Sequence, residues 1–366
     1  MKVLVTGAGG FLGGALTWRL IARGDDVVTA QRGDYPQLDD IGADVVRGDL
    51  ADAAICRAAV AGCDAVIHVA AKAGVWGSLA SYIAANVTPT VNLLNACREA
   101  NVTRFVYTSS PSVTFAGVDE EGVDESAPYP SRYLAHYPQT KAMAERAVLQ
   151  ANGSETADGG FLATTSLRPH LIWGPGDRHL TPRILDRAKR GKLKLVGRGD
   201  NLVDSTYIDN AVAAHLLAVD QLQEKGIDAP AAGRAYFISN DEPMAMRELI
   251  NRILEAGGMP AVRRSVPPTL AYGVGAVLEV VYKLLGRTRE PVMTRFVAKQ
   301  LSTCHWYDLS AAMKDLRYRP AVSIDEGMRR LKISLEGTVQ KSRQAASEGL
   351  SPASSEESPG ERPSDA

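Results

Sequence analysis

Short apolar runs alternate with longer mixed stretches through the first half of the chain. Residues 3–6 form one run. Others follow at Val27-Val28-Thr29-Ala30, Val45-Val46, Ala65-Val66-Ile67, Phe105-Val106-Tyr107 and Thr165-Ser166-Leu167. Helical patterning fills the intervals, as in residues 15–22, 91–100 and 141–151. Runs this short and this apolar predict strands buried on both faces. Their alternation with helices predicts βαβ units, hence an α/β fold built on a doubly wound parallel sheet.

The rhythm changes after Pro169. Pro175, Pro182, Gly191, Gly197 and Gly199 punctuate shorter elements. Tyr236-Phe237-Ile238-Ser239 reads as one more strand and residues 246–256 as an amphipathic helix. The expected division is a nucleotide-binding domain over 1–170 and a smaller C-terminal substrate lobe over 171–340, parts of which return to the sheet. Residues 341–366 are rich in Ser, Glu, Pro and Gly with Leu350 as their one large apolar residue, so a disordered tail is expected. Residues 266–285 carry Leu270, Val274, Val277, Leu278, Val281 and Leu285 and only two charges, Glu279 and Lys283. Its uncharged part is too short to span a bilayer, which takes roughly 20 apolar residues. Two readings stay open. It packs on the lobe's core, or it is an exposed apolar helix at a lipid entry or membrane surface.

Composition narrows the classes. The 366 residues carry 41 basic and 42 acidic side chains, so no net field recruits nucleic acid. Cys56, Cys63, Cys97 and Cys304 form no C-x-x-C pair, and reduced, packed thiols in a cytoplasmic protein are expected. Residues 3–5 run straight into a glycine turn, which leaves no room for a secretory apolar core. The six His show no ligand spacing, and no metal is expected.

The turn after the first run is Gly7-Ala8-Gly9-Gly10-Phe11-Leu12-Gly13. Its glycines fit G-x-x-G-x-x-G at Gly7, Gly10 and Gly13. Residues without Cβ let backbone amides approach a pyrophosphate, and the N-terminus of the following helix favours negative charge. A strand before and a helix after give this otherwise weak motif its required setting, that of a Rossmann-type fold. The second strand ends in Gln31-Arg32, with no acid for a ribose 2′-hydroxyl and an Arg that can pair with a 2′-phosphate. The expected cofactor is therefore NADP(H), with NAD(H) as the alternative. Arg32 also reads as a solvated cation. Asp49, in Gly48-Asp49-Leu50, reads as an adenine contact and as a helix cap.

Proton-transfer chemistry is expected from Tyr137 and Lys141, four residues apart and so on one helical face. A Tyr near ~10 is a poor base at neutral pH. An ammonium and the ring of an oxidised nicotinamide would favour its anion. In reduction it donates its proton instead. The hydroxyls of Ser109, Ser110 and Ser112 follow the fifth strand, where ligands bind in open sheets. Asn86 reads as a relay residue or a cap. His136 should point away from Tyr137, and His68 should be structural.

Together these residues resemble the extended short-chain dehydrogenase/reductase superfamily. The resemblance is carried by Thr6-Gly7-x-x-Gly10-x-x-Gly13, Gly48-Asp49-Leu50, His68-Val69-Ala70-Ala71, Tyr107-Thr108-Ser109-Ser110, Tyr137-x-x-x-Lys141 and Leu167-Arg168-Pro169. It implies Ser110, Tyr137 and Lys141 as the catalytic group. It also implies cofactor contacts from Gly7, Gly10, Phe11, Leu12, Gly13, Arg32, Asp49, Leu50, Ala70, Ala71, Lys72, Asn86, Tyr137 and Lys141, with Arg168, Pro169 and His170 lining the nicotinamide pocket. Pro89 departs from the family's usual Gly. Residues 201–210 resemble the 3β-hydroxysteroid dehydrogenase branch. Residues 71–77, 171–177 and 293–296 are similar to bacterial reductases of 2-alkyl-3-oxo acids in long-chain olefin biosynthesis. That resemblance implies reduction of a lipid β-keto acid to the 2-alkyl-3-hydroxyalkanoate. Trp76, Arg178 and Arg183 are then candidate substrate residues. A homodimer and contacts with neighbouring pathway enzymes are the implied partners. The alternatives are a 3β-hydroxysteroid or sterol-4α-carboxylate 3-dehydrogenase, and a non-catalytic NADP(H) sensor.

Overall fold

Seven parallel strands form the centre of the computed structural model, which describes residues 1–347. In chain order the main elements are β1 (Lys2–Thr6), α1 (Phe11–Arg23), β2 (Asp26–Gln31), β3 (Asp44–Arg47), α2 (Ala53–Val60), β4 (Ala65–His68), α3 (Thr88–Glu99), β5 (Arg104–Thr108), α4 (His136–Gln150), β6 (Phe161–Pro169), α5 (Ile208–Lys225), β7 (Arg234–Ile238), α6 (Pro268–Leu284) and α7 (Ile324–Ser347). The sheet order is β7-β6-β5-β4-β1-β2-β3. It reverses at β1, which lies between β2 and β4, and such switch points open a crevice at the strands' C-terminal ends.

Alternation along the strands fills two cores. Val3, Val5, Val27, Ile67, Val106 and Leu167 face the side covered by α1 and α5. Leu4, Val28, Val66, Phe105, Tyr107 and Leu162 face the side covered by α2, α3 and α4. Both sets are buried, which is why the strands read as continuous apolar runs.

The 171–340 segment is not a separate body. Its strand β7 extends the main sheet beside β6, and its helix α5 packs on α1. It also supplies Met244–Ala245, Leu202–Val203 and His305–Tyr307 to a small sheet completed by Glu120–Val123 from the first half. The tail expected to be disordered from Lys341 differs in its first residues, because α7 runs on to Ser347. Gln340, Lys341, Arg343, Gln344, Ala345 and Ala346 are strong helix formers and prolong a helix already begun on the core. Residues 348–366 lie outside the described residues. No helix among the described residues is long and apolar enough to cross a membrane.

One buried ion pair fixes α4 to the sheet. Arg168 on β6 donates to both carboxylate oxygens of Glu145 on α4, at 2.7 Å from Nη2 to Oε1 and 3.0 Å from Nε to Oε2. Tyr129 and Ser166 donate to the same carboxylate at 2.7 and 3.0 Å. Burial alone would raise the Glu145 pKa, but Arg168, with hydrogen bonding from Ser109 and Tyr129, holds it below the ordinary value. Removing one partner would strand the other charge without water. Glu145→Ala should therefore cost about 3–5 kcal/mol in urea unfolding, more than a core cavity of that size explains. A loss under ~1 kcal/mol would show that the pair does not anchor α4.

Candidate active site

The glycine turn closes tightly on its neighbours. Gly7 sits at φ +71, and a Cβ there would come 3.0 Å from the backbone of Ala70. A Cβ on Gly13 would lie 2.3 Å from the Gly7 carbonyl oxygen, so α1 starts directly against the turn. The turn borders a cavity of about 1600 Å³ at the β1 crevice. Gly7, Gly10, Phe11, Leu12, Gly13, Arg32, Asp49, Leu50, Ala70, Ala71 and Lys72 all line it. A backbone cradle without Cβ atoms beside a helix N-terminus fits a dinucleotide pyrophosphate.

Sequence reasoning missed several wall residues. Tyr35 lies so close over Gly9 and Gly33 that a Cβ on either would meet its ring at 2.2 and 2.8 Å. Ser81, Asp177 and His179 also line the cavity. Small residues facing an aromatic ring were the only available signal. Past the end of β2, Arg32 is largely exposed and 3.9 Å from Asp49. Asp49 accepts from Ala51 N at 3.0 Å, a local turn bond that leaves its second oxygen toward Arg32.

The cavity and α4 meet at Asn86. Its Oδ1 accepts from Lys72 N at 2.7 Å and its Nδ2 donates to Thr140 Oγ1 at 3.1 Å. Asn86 sits in a π-helical turn, Ile83–Val87, closed by Thr88 N donating to Ile83 O. Pro89 accounts for the turn. It has no N–H to give to Ala85, and its ring would clash with that carbonyl in a regular α-helix. The departure from the family pattern thus fixes the register that presents Asn86.

Ser110 follows β5 and caps the short helix Pro111–Val113. Its Oγ is 2.9 Å from Ser112 Oγ. Tyr137 stands in the first turn of α4, half-buried. Burial raises its pKa above 10, and interaction with Ser110 opposes that rise. No hydrogen bond joins Tyr137 to Lys141 among the described residues. The Lys141 ammonium instead donates to Thr108 O at 2.5 Å and lies 4.2 Å over the Tyr107 ring. It ties α4 to the end of β5, two residues before Ser110.

Other histidines and cations take structural places. His68 lies between Thr6 Oγ1 at 2.7 Å and Thr90 Oγ1 at 3.1 Å, and burial together with Lys141 lowers it to about 3. His136 turns to Gln139. Pro169 and His170 are buried and do not line the cavity; the His170 ring packs edge-on to His305 and Tyr307. Arg168 is held by Glu145, so it does not line a nicotinamide pocket as expected. Arg183 pairs with Glu290 at 2.8 Å, and Arg178 lines a second cleft on the outer side of the turn. Trp76 donates to Arg287 O at 2.9 Å and rests edge-on against Tyr282. Among the described residues no group of His, Cys, Asp and Glu could hold a metal.

The model for the 3-beta hydroxysteroid dehydrogenase/isomerase family matches residues 4–267. A 2-alkyl-3-oxoalkanoate reductase of Shewanella oneidensis is 53% identical over 332 residues, covering 90% of this chain and 85% of the relative. Another, from Stenotrophomonas maltophilia, is 51% identical over 337 residues, 91% of this chain and 99% of the relative. Among solved structures, MoeE5 in complex with UDP-glucose and NAD superposes with a TM-score of 0.69 at 25% identity, covering 93% of this chain and 100% of that one.

Lys141 gives the site a pH signature. Burial lowers it from 10.5 to about 7, against the attraction of Glu145. Between those values the unfolded chain holds a proton that the folded chain lacks, so its contribution to stability rises with pH across the window. Denaturant unfolding of the cofactor-free protein at the two ends of that window should show wild type gaining stability relative to Lys141→Met as pH rises, over the opposite trend set in both by the buried thiols and phenols. An equal pH response in both proteins would mean the ammonium is not desolvated.

Proposed function

The chain belongs to the 3-beta hydroxysteroid dehydrogenase/isomerase family, and we propose that within it the protein is an NAD(P)-dependent reductase of long-chain 2-alkyl-3-oxoalkanoates. The observation that carries this reading is identity above one half, over nine-tenths of the chain, to two reductases of that name. The product is the 2-alkyl-3-hydroxyalkanoate.

A nicotinamide cofactor, when bound, supplies the hydride. The residues of the chain do the rest. The cradle at Gly7, Gly10 and Gly13 receives the pyrophosphate. Tyr137, kept protonated by burial, gives its proton to the substrate's 3-oxygen. The Ser110 hydroxyl donates to the same oxygen and holds it in place. Lys141 fixes α4 against the end of β5, so that phenol and hydroxyl keep their spacing. Lys72, whose ammonium donates to Ser81 Oγ at 2.9 Å, lines the cavity and is our candidate for the substrate carboxylate. Arg183, expected for that role, is already engaged by Glu290. Arg32 favours NADP(H), because no acid stands at Gln31.

Three measurements test this. Tyr137→Phe should lower turnover of a 2-alkyl-3-oxo acid by about 10²–10⁴-fold while still binding cofactor; unchanged turnover would overturn the proton-donor role. Arg32→Ala should lower the preference for NADPH over NADH by about tenfold or more, and a wild-type preference for NADH would reverse the cofactor reading. A substrate panel that includes a 3β-hydroxysteroid and a sterol-4α-carboxylate should show turnover of the oxo acid; turnover of the sterols alone would replace the substrate reading.

A further inference from the structure

Helix α6 wears its apolar stripe on the outside. Leu270, Val274, Val277, Val281 and Leu284 recur at spacings of four, three, four and three, which puts them on one face. All are exposed, Val277 at 63% and Leu284 at 82%. The opposite face carries Ala271, Gly275 and Glu279, all buried. A Cβ on Gly275 would lie 2.6 Å from the Thr294 carbonyl carbon, so the small residue lets the helix press onto the next segment. Glu279, the helix's one carboxylate, accepts from Arg295 N at 2.7 Å and Arg295 Nε at 2.8 Å. The polarity is inverted relative to a helix packed on a core: the acid faces in and the valines and leucines face out.

Cations frame the stripe. Arg263 and Arg264 precede α6, Lys283 stands on its flank, and Arg287 and Arg289 follow it, all exposed. The ion pairs nearby, Arg183–Glu290 and Arg295–Glu279, involve none of these five.

We propose that this face docks on a membrane surface containing anionic phospholipid, with α6 lying in the plane of the interface. At 17 residues the helix does not cross a bilayer. An exposed apolar stripe bordered by Lys and Arg outside any ion pair is instead the pattern that sinks into the boundary between headgroups and acyl chains. Charge decides against a second copy of the chain. A two-fold contact through this face would bring the same five cations against their own copies. The helix also reaches the site: Tyr282 holds Trp76, and Glu290, beyond its C-terminus, accepts from Val75 N at 3.3 Å. Docking would therefore place the 72–78 loop, which starts at the cavity-lining Lys72, beside the lipid surface. The inference rests on the face itself and not on the substrate reading.

The test is co-sedimentation of the full chain with vesicles of phosphatidylcholine alone and of phosphatidylcholine with about one third phosphatidylglycerol. Binding should require the anionic lipid. It should fall by about tenfold or more in Val277→Asp and in Lys283→Glu/Arg287→Glu. Turnover of a short-chain, water-soluble oxo acid should stay at the wild-type level in both, which also shows that they fold. Absence of binding to either vesicle, or wild-type binding by both variants, would overturn the proposal. So would a dimer in light scattering that Val277→Asp dissolves, because the face would then be a contact between copies.

Discussion

Glu145 and Arg168 meet where neither charge has water, and the candidate site's α4 side is built around that meeting. Helix α4 has no side-chain cap at its N-terminus. Its position comes from the far side: Glu145 locked to β6, then Lys141, one turn earlier, locked to the carbonyl of Thr108 at the end of β5. Tyr137 stands one turn earlier again. Three residues at a spacing of four thus run from structural anchor to positioning contact to the phenol we propose as proton donor. A charge pair of this kind contributes little net stability compared with apolar packing. What it contributes is geometry, since an ion pair with four donors on one carboxylate tolerates little sliding.

The same economy appears at the other end of the cavity. His68, neutral and buried, links β1 through Thr6 to α3 through Thr90. Thr90 also donates to the Asn86 carbonyl at 2.7 Å. Asn86 then reaches both the loop after β4 and Thr140 on α4. Strand, loop and α4 are joined by short polar links in the sheet's crevice, so few degrees of freedom remain between the glycine turn and the Tyr137 phenol.

Much of this was legible in the sequence because it depends on spacing. The strands announced themselves because both faces are covered, and the glycine turn because only residues without Cβ fit against Ala70 and the Gly7 carbonyl. Tyr137 and Lys141 were legible as a pair on one face. What they touch was not. The ammonium serves Thr108 and not the phenol, a choice made by tertiary packing that no local pattern records. Arg168 looked like a pocket residue, but its partner lies 23 positions earlier on another element. For α6 the periodicity gave a stripe without saying which side faces the core. The answer came from Gly275 and Glu279, the two residues an apolar pattern discounts.

The π-helical turn at Ile83–Val87 has a consequence for the phase of everything before it. One extra residue in a helical turn rotates the preceding segment by about 100° relative to an unbroken helix. Leu79–Tyr82 and α3 are therefore out of step, although they form one continuous helical rod. Because of that offset, Ser81 can meet Lys72 at the cavity while Thr90, on the same rod, meets His68 in the core. A single imino acid, Pro89, acts like a key cut into the shaft. It lets one rod serve two sites that a regular helix would hold at the wrong angle to each other.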